Sequence, residues 1–330
     1  HTAGAGRGSV NHRFAQPSRD AHRFSAFVYP TDLYPFTSLA TRDPVSDREE
    51  GLLDETPKTF RPRVMVTNTG YEYWGRAASL IHTTPDGARD ADQPADERIY
   101  HIASAQHYVG RWPPREERRL SGADGWRGNP VDLLVNLRAL VSRLVHWVAD
   151  DRPPPSSRYP RIDRDELVDA GDLAFPAIPG VNPPRDPHLA YRADYGPGWD
   201  VGIIGRQPPW LGPPFSTRVP ALDDLGNELG GVRNVEIRVP LATYTPWSLR
   251  DGLPVPGEMH DFTGLLLPLP ITAADASARG DPRPAIRQLY EGRAEYLAAV
   301  SAAADELILE GFLLEEDRPR VEARALALWD

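Results

Sequence analysis

Apolar residues are unevenly spread along this 330-residue chain, and their spacing changes character several times. Residues 1–14 are rich in glycine and polar side chains. Residues 24–60 mix aromatics, prolines and charges with few periodic apolar positions, and both stretches read as loop. The pattern then sharpens. Arg63-Val64-Met65-Val66-Thr67-Asn68, following Pro62, is a short β-rich run expected to form a buried strand, and Arg98-Ile99-Tyr100-His101-Ile102-Ala103 a second. Between them, residues 75–80 are expected to open a helix, and Thr84-Pro85-Asp86-Gly87 to turn the chain.

The strongest helical signal follows Asn129-Pro130, a cap with a first-turn proline. Leu133, Leu134, Leu137, Leu140, Val141, Leu144, Val145 and Val148 repeat at three and four before Pro153-Pro154-Pro155 ends the run. This stripe predicts a helix buried along its whole apolar face. Residues 152–220 carry a large share of the 35 prolines and little periodicity, with Trp199, Trp210 and Phe215 as anchors; an ordered surface excursion is expected. Residues 235–240 read as a strand, 284–312 as a second amphipathic helical region, and 315–329 as a last short helix. Strand, turn, strand and helix suit an α/β architecture, with too few strands for a full sheet. No internal repeat is present.

Composition narrows the function more than the fold. A net charge of -10 argues against a sequence-independent grip on nucleic acid, which needs a basic surface. The absence of cysteine removes disulfides, thiolate metal sites and a cysteine nucleophile. The longest apolar stretch, Gly264-Leu265-Leu266-Leu267-Pro268-Leu269-Pro270, falls short of a membrane span. Because the chain begins with His1 and not Met, the compartment stays open between secreted or periplasmic and cytoplasmic.

Two polar groups stand where chemistry would want them. Glu72 lies a few residues past the first expected strand, and His107 just past the second. In open parallel sheets the crevice beyond the carboxyl ends of the strands is where ligands bind. A carboxylate there can hold an imidazole in one tautomer and stabilise its positive charge. Acid then histidine, 35 positions apart, follows the chain order of the last two members of a Ser, Asp/Glu, His triad and leaves room for one crossover. On spacing alone, two ordinary loop residues are the favoured reading of this pair.

Longer strings add to this. Asn11-His12-Arg13-Phe14-Ala15-Gln16-Pro17-Ser18-Arg19-Asp20, Tyr29-Pro30-Thr31-Asp32, Tyr71-Glu72-Tyr73-Trp74-Gly75-Arg76-Ala77-Ala78-Ser79-Leu80 and Pro240-Leu241-Ala242-Thr243-Tyr244 together resemble the alpha/beta hydrolase domain-containing family of large bacterial proteins. The terminal Ala325-Leu326-Ala327-Leu328-Trp329-Asp330 also looks like that family's end. The resemblance implies an α/β fold in which this chain is the C-terminal part of an alpha/beta-hydrolase-type sheet, with flanking helices and a long proline-rich excursion. It implies Glu72 and His107 as acid and histidine of a serine hydrolase acting on carboxylic esters, without metal or organic cofactor. The expected partners are a small-molecule ester and the N-terminal half of the same protein. The expected division is a core at 1–151, an excursion at 152–240 that serves as lid or contact region, and a helical region at 241–330.

The nucleophile is missing from the pattern. No G-x-S-x-G elbow occurs; the nearest approach, Gly6-Arg7-Gly8-Ser9-Val10-Asn11, lacks the final glycine and a preceding strand. The serine is expected upstream of His1, so this chain alone is expected to be inactive. The alternative is a binding or scaffolding module that retains the hydrolase architecture. His12, Arg13, Tyr71, Tyr73, Trp74 and Gln106 are candidates for the substrate pocket. Gly4-Ala5-Gly6-Arg7-Gly8 reads as a tight loop and not a phosphate loop, and Met259-His260-Asp261 as a surface turn.

Overall fold

The computed structural model describes residues 2–3, 33–115, 126–206, 208–250 and 257–330. At its centre is a parallel sheet. Strand β1 (Thr2–Ala3) pairs with β2 (Val64–Thr69), and β2 pairs with β3 (Glu97–Ile102). The β2–β3 register runs unbroken from Val64 opposite Glu97 to Thr69 opposite Ile102. Met65, Ile99, Tyr100 and Ile102 are buried, as expected of parallel strands covered on both faces. Beyond β3 the sheet continues through single parallel bridges, Tyr100 to Arg158 and Ile102 to Val232. The second bridge depends on Gly231, whose φ is +92° and where a Cβ would come 2.5 Å from His101 Cδ2.

Helix α1 (Gly70–Gly75) begins directly at the carboxyl end of β2. It starts earlier than the helix expected at residues 75–80, where the chain instead leaves α1 and makes a 3-10 turn at Ala78–Ile81. The turn expected at residues 84–87 is closed by the Gly87 N–H on Thr84 O at 2.7 Å. A second, antiparallel sheet places β5 (Ala242–Thr245) beside β6 (Leu265–Pro268), and β6 beside β4 (Arg127–Gly128).

Helix α2 (Leu133–Asp150) departs from expectation in two ways. It starts after Asp132, and Asn129 caps nothing. The Asn129 amide is committed to the core, donating to Ser104 O at 2.7 Å and Thr245 O at 2.9 Å. The apolar stripe is also only partly core. Leu133, Val135, Leu140 and Trp147 are buried, the first three in a cluster with Val300 of α3 (Arg293–Glu310), Phe312 and Val321 of α4 (Arg318–Trp329). Burying a side chain of this size contributes about 1.5–3 kcal/mol. Leu134, Val141, Val145 and Val148 on the shoulder of the stripe are 43%, 45%, 58% and 65% exposed. Periodicity sets how wide an apolar face is; the neighbouring elements set how much of it is covered.

Within residues 152–240, Leu167–Val168 pairs antiparallel with Val219–Pro220, and Tyr191–Asp194 with Trp210–Pro214. Phe215 is buried and Trp199 stacks on Tyr195, but Trp210 lies exposed beneath Arg206 and anchors no core. The strand expected at 235–240 is a single helical turn, Val235–Arg238. Its alternating Val-Glu-Ile-Arg pattern is overruled locally, because the Ile237 and Arg238 N–H groups both turn back onto Asn234 O at 2.9 Å.

Candidate active site

Thr69 ends β2 in extended conformation, and the chain then turns into α1. That first turn brings the Glu72 carboxylate back over the strand end, where Oε2 accepts the Thr69 N–H at 2.8 Å and the Thr69 hydroxyl. Gly70 is required between them, since a Cβ there would lie 2.4 Å from Glu228 Oε1. The other carboxylate oxygen, Oε1, accepts a hydrogen bond from His107 Nδ1. The structure thus brings together the two residues that the sequence placed after neighbouring strand ends.

Their exposure differs. Glu72 is sealed at 2% side-chain exposure, whereas the imidazole is 27% exposed. Burial pushes the Glu72 carboxyl up, but the hydrogen bonds and charge it meets at His107, with those from Thr69, outweigh burial and hold it below the usual carboxylate range. An ionised carboxylate on Nδ1 fixes that nitrogen as the donor and leaves Nε2 on the other side of the ring from it.

The loop from β3 to His107 is pinned at Ser104, a non-glycine residue at φ +58°. Its N–H donates to Glu228 Oε2, its hydroxyl accepts the Glu228 N–H at 2.8 Å, and its carbonyl accepts the Asn129 amide. Such sparsely populated backbone persists only where the surroundings over-determine it. Gln106 is buried and acts as a further tether, its Oε1 accepting the Gly264 N–H at 2.7 Å.

Rings surround the imidazole. Tyr108, Phe262 and Tyr71 have centroids 4.3, 4.7 and 6.0 Å from that of His107. Phe262 reaches it from a left-handed backbone at φ +68°. Gly75 guards the Tyr71 position, because a Cβ there would lie 2.6 Å from the phenol ring. Tyr73 and Trp74, expected beside Tyr71 in the pocket, point elsewhere because successive residues of a helix face different directions. Trp74 packs with Val219, Trp247 and Met259, and the Tyr73 hydroxyl bonds His82 Nε2 at 2.7 Å. His12 and Arg13 lie outside the described residues.

A second histidine–carboxylate pair sits beneath the first. His101 Nε2 lies 2.8 Å from Glu228 Oε2, with both side chains at 1% exposure or less. Tyr73 packs edge-on against His101 at 4.8 Å, and Tyr159 lies 4.4 Å from His82. Burial, with His101 nearby, pushes the His82 imidazole down to about 3. Neither Glu228 nor Ser104 stood out in the sequence, and Asn129 did so only as a helix cap. Tyr108 carried a usable signal as His107's neighbour, and Phe262 follows directly on Met259-His260-Asp261, whose Asp261 faces Arg250 at 3.6 Å.

Among the described residues no group of three or more His, Asp or Glu side chains is placed to hold a metal ion, and no helix is long and apolar enough to cross a membrane. A parallel sheet whose neighbouring strand ends deliver a carboxylate and a histidine into one hydrogen bond has the acid–histidine arrangement of an α/β hydrolase. The chain belongs to the alpha/beta hydrolase domain family, which matches residues 12–323. Comparison with curated proteins and with solved structures gives no match. A hydrolase-type function follows from the family.

Proposed function

We propose that Glu72 and His107 are the acid and histidine of a Ser-Glu-His triad that cleaves carboxylic esters, with the serine upstream of His1. The observation that carries this reading is the hydrogen bond from His107 Nδ1 to the sealed Glu72 carboxylate, on an imidazole that itself reaches solvent. In the proposed cycle the serine hydroxyl attacks the ester carbonyl while His107 Nε2 takes its proton. The proton passes to the departing alcohol as the tetrahedral intermediate collapses to an acyl-enzyme. Water then attacks the acyl group, losing its proton to His107, and the acid leaves as the serine is restored. Glu72 stays ionised throughout and stabilises the imidazolium. Tyr71, Tyr108 and Phe262 supply an apolar wall for the ester. The core at 1–151, the excursion at 152–240 and the helical region at 241–330 are retained as a proposed division.

Labelling the full-length protein with a fluorophosphonate tests this directly. The expected result is one modified serine within a G-x-S-x-G segment upstream of His1, with parallel loss of ester hydrolysis. Full esterase activity after complete reaction, or no modified serine at all, would remove the triad and favour the binding or scaffolding reading.

A further inference from the structure

Arg76 stands one ring away from His107 and has few partners among the described residues. It closes α1 as the C-cap residue, so the same short helix carries Tyr71, Glu72 and Arg76. Its guanidinium lies over Phe262 at 5.1 Å and over Tyr71 at 5.9 Å, and both rings also contact the imidazole. Guanidinium and imidazole therefore flank the same two aromatic side chains. Among the described residues, the single hydrogen bond made by the Arg76 side chain is from Nη1 to Gly75 O at 2.8 Å, out of five N–H donors. No carboxylate among the described residues lies within ion-pair reach of it.

Arg61, Arg98 and Arg287 also lack a carboxylate partner among the described residues, but Arg76 lies over two rings that also contact the imidazole. Arg63, Arg138, Arg158, Arg161, Arg192, Arg206, Arg238 and Arg283 each hold a carboxylate within 3 Å. Stacking on a ring leaves the edge of the guanidinium, with its paired donors, unspent. A fixed positive charge beside the imidazole also disfavours a cationic ester, which would meet like charge there.

Resting on the triad reading, we propose that Arg76 is the anion-recognition residue of this site, and that its substrates are esters carrying a carboxylate together with an apolar or aromatic segment. The apolar segment lies along Phe262 and Tyr71, and the carboxylate takes the free edge of the guanidinium bidentately. The acidic surface of the protein, with its net charge of -10, gives such a substrate no general attraction, so discrimination falls to this one side chain.

Two matched ester pairs test it on the full-length protein: 4-nitrophenyl hydrogen adipate against 4-nitrophenyl hexanoate, and 4-acetoxybenzoate against methyl 4-acetoxybenzoate. The wild-type protein is expected to give the higher kcat/KM for the anionic member of at least one pair. In Arg76→Gln the anionic-to-neutral ratio falls about tenfold, mainly through KM, which is the scale of one charge-assisted pair. Arg76→Lys recovers part of it by keeping the charge without the fork. Hydrolysis with no anionic preference in either pair, or a ratio unchanged in Arg76→Gln, overturns this inference and leaves the triad standing. If none of the four esters is hydrolysed, the ester-cleaving reading falls, and this inference with it. The wild-type ratios decide the matter even where a variant fails to fold.

Discussion

Glu72 with His107 and Glu228 with His101 are two copies of one chemical unit, a glutamate hydrogen-bonded to an imidazole, and both sit at the carboxyl ends of β2 and β3. His107 opens to solvent through a ring of aromatics, and its acid is the sealed member. In the second pair both members are sealed, and its glutamate also fastens the N–H of Ser104. Composition does not separate the two; the direction each imidazole faces does. The outer pair opens to solvent, while the inner pair is sealed and its Glu228 Oε2 holds the Ser104 N–H of the loop on which the outer histidine rides.

The sharpest way to break that contrast is His107→Gln, whose amide still offers Glu72 a donor. Ester kcat/KM should fall at least about a thousandfold, roughly 4 kcal/mol in activation free energy, with a thermal midpoint close to wild type. A variant that kept its rate would make the outer pair as structural as the inner one. Glu228→Ala should do the reverse and read out in unfolding. It leaves His101 and the Ser104 N–H buried without partners, at roughly 1–3 kcal/mol each, so urea denaturation should show a loss of about 3 kcal/mol. A change below about 1 kcal/mol would mean that the inner pair braces nothing.

The effect that vanishes at neutral pH is a dependence on acid. His82, next to the inner pair, stays neutral in the fold because burial lowers it from 6.5 to about 3. The unfolded chain takes up a proton there between those values and the folded one does not. Its contribution is therefore fully present above pH 6.5 and is lost as the pH falls towards 3, at up to about 1.4 kcal/mol per pH unit. His82→Gln should flatten the stability profile across this window by close to one proton. Equal slopes would assign the acid sensitivity to other groups.

How far the sequence revealed this follows from how local each signal was. β2 and β3 were legible because each is a short apolar, β-branched run, and Glu72 and His107 because they follow those runs directly. The inner pair was not legible, since Glu228 lies 127 positions from His101 in a stretch without periodicity. Tyr73 and Trp74 were misplaced because adjacency to Glu72 in sequence becomes divergence on a helix. The exposed valines of α2 were misread because a stripe of spacing three and four does not record what lies against it.

The Glu72 carboxylate holds its own helix start with one oxygen and the histidine with the other. Selection therefore sees that residue twice. A descendant that abandoned the chemistry would still be punished for losing the glutamate, because Thr69 would go unfastened where β2 becomes α1. No comparable penalty protects the half-open histidine. Under the proposed triad, the acid should outlive the base along a lineage drifting away from hydrolysis, so a relative that retains the one and has replaced the other is better read as a retired enzyme than as a working one.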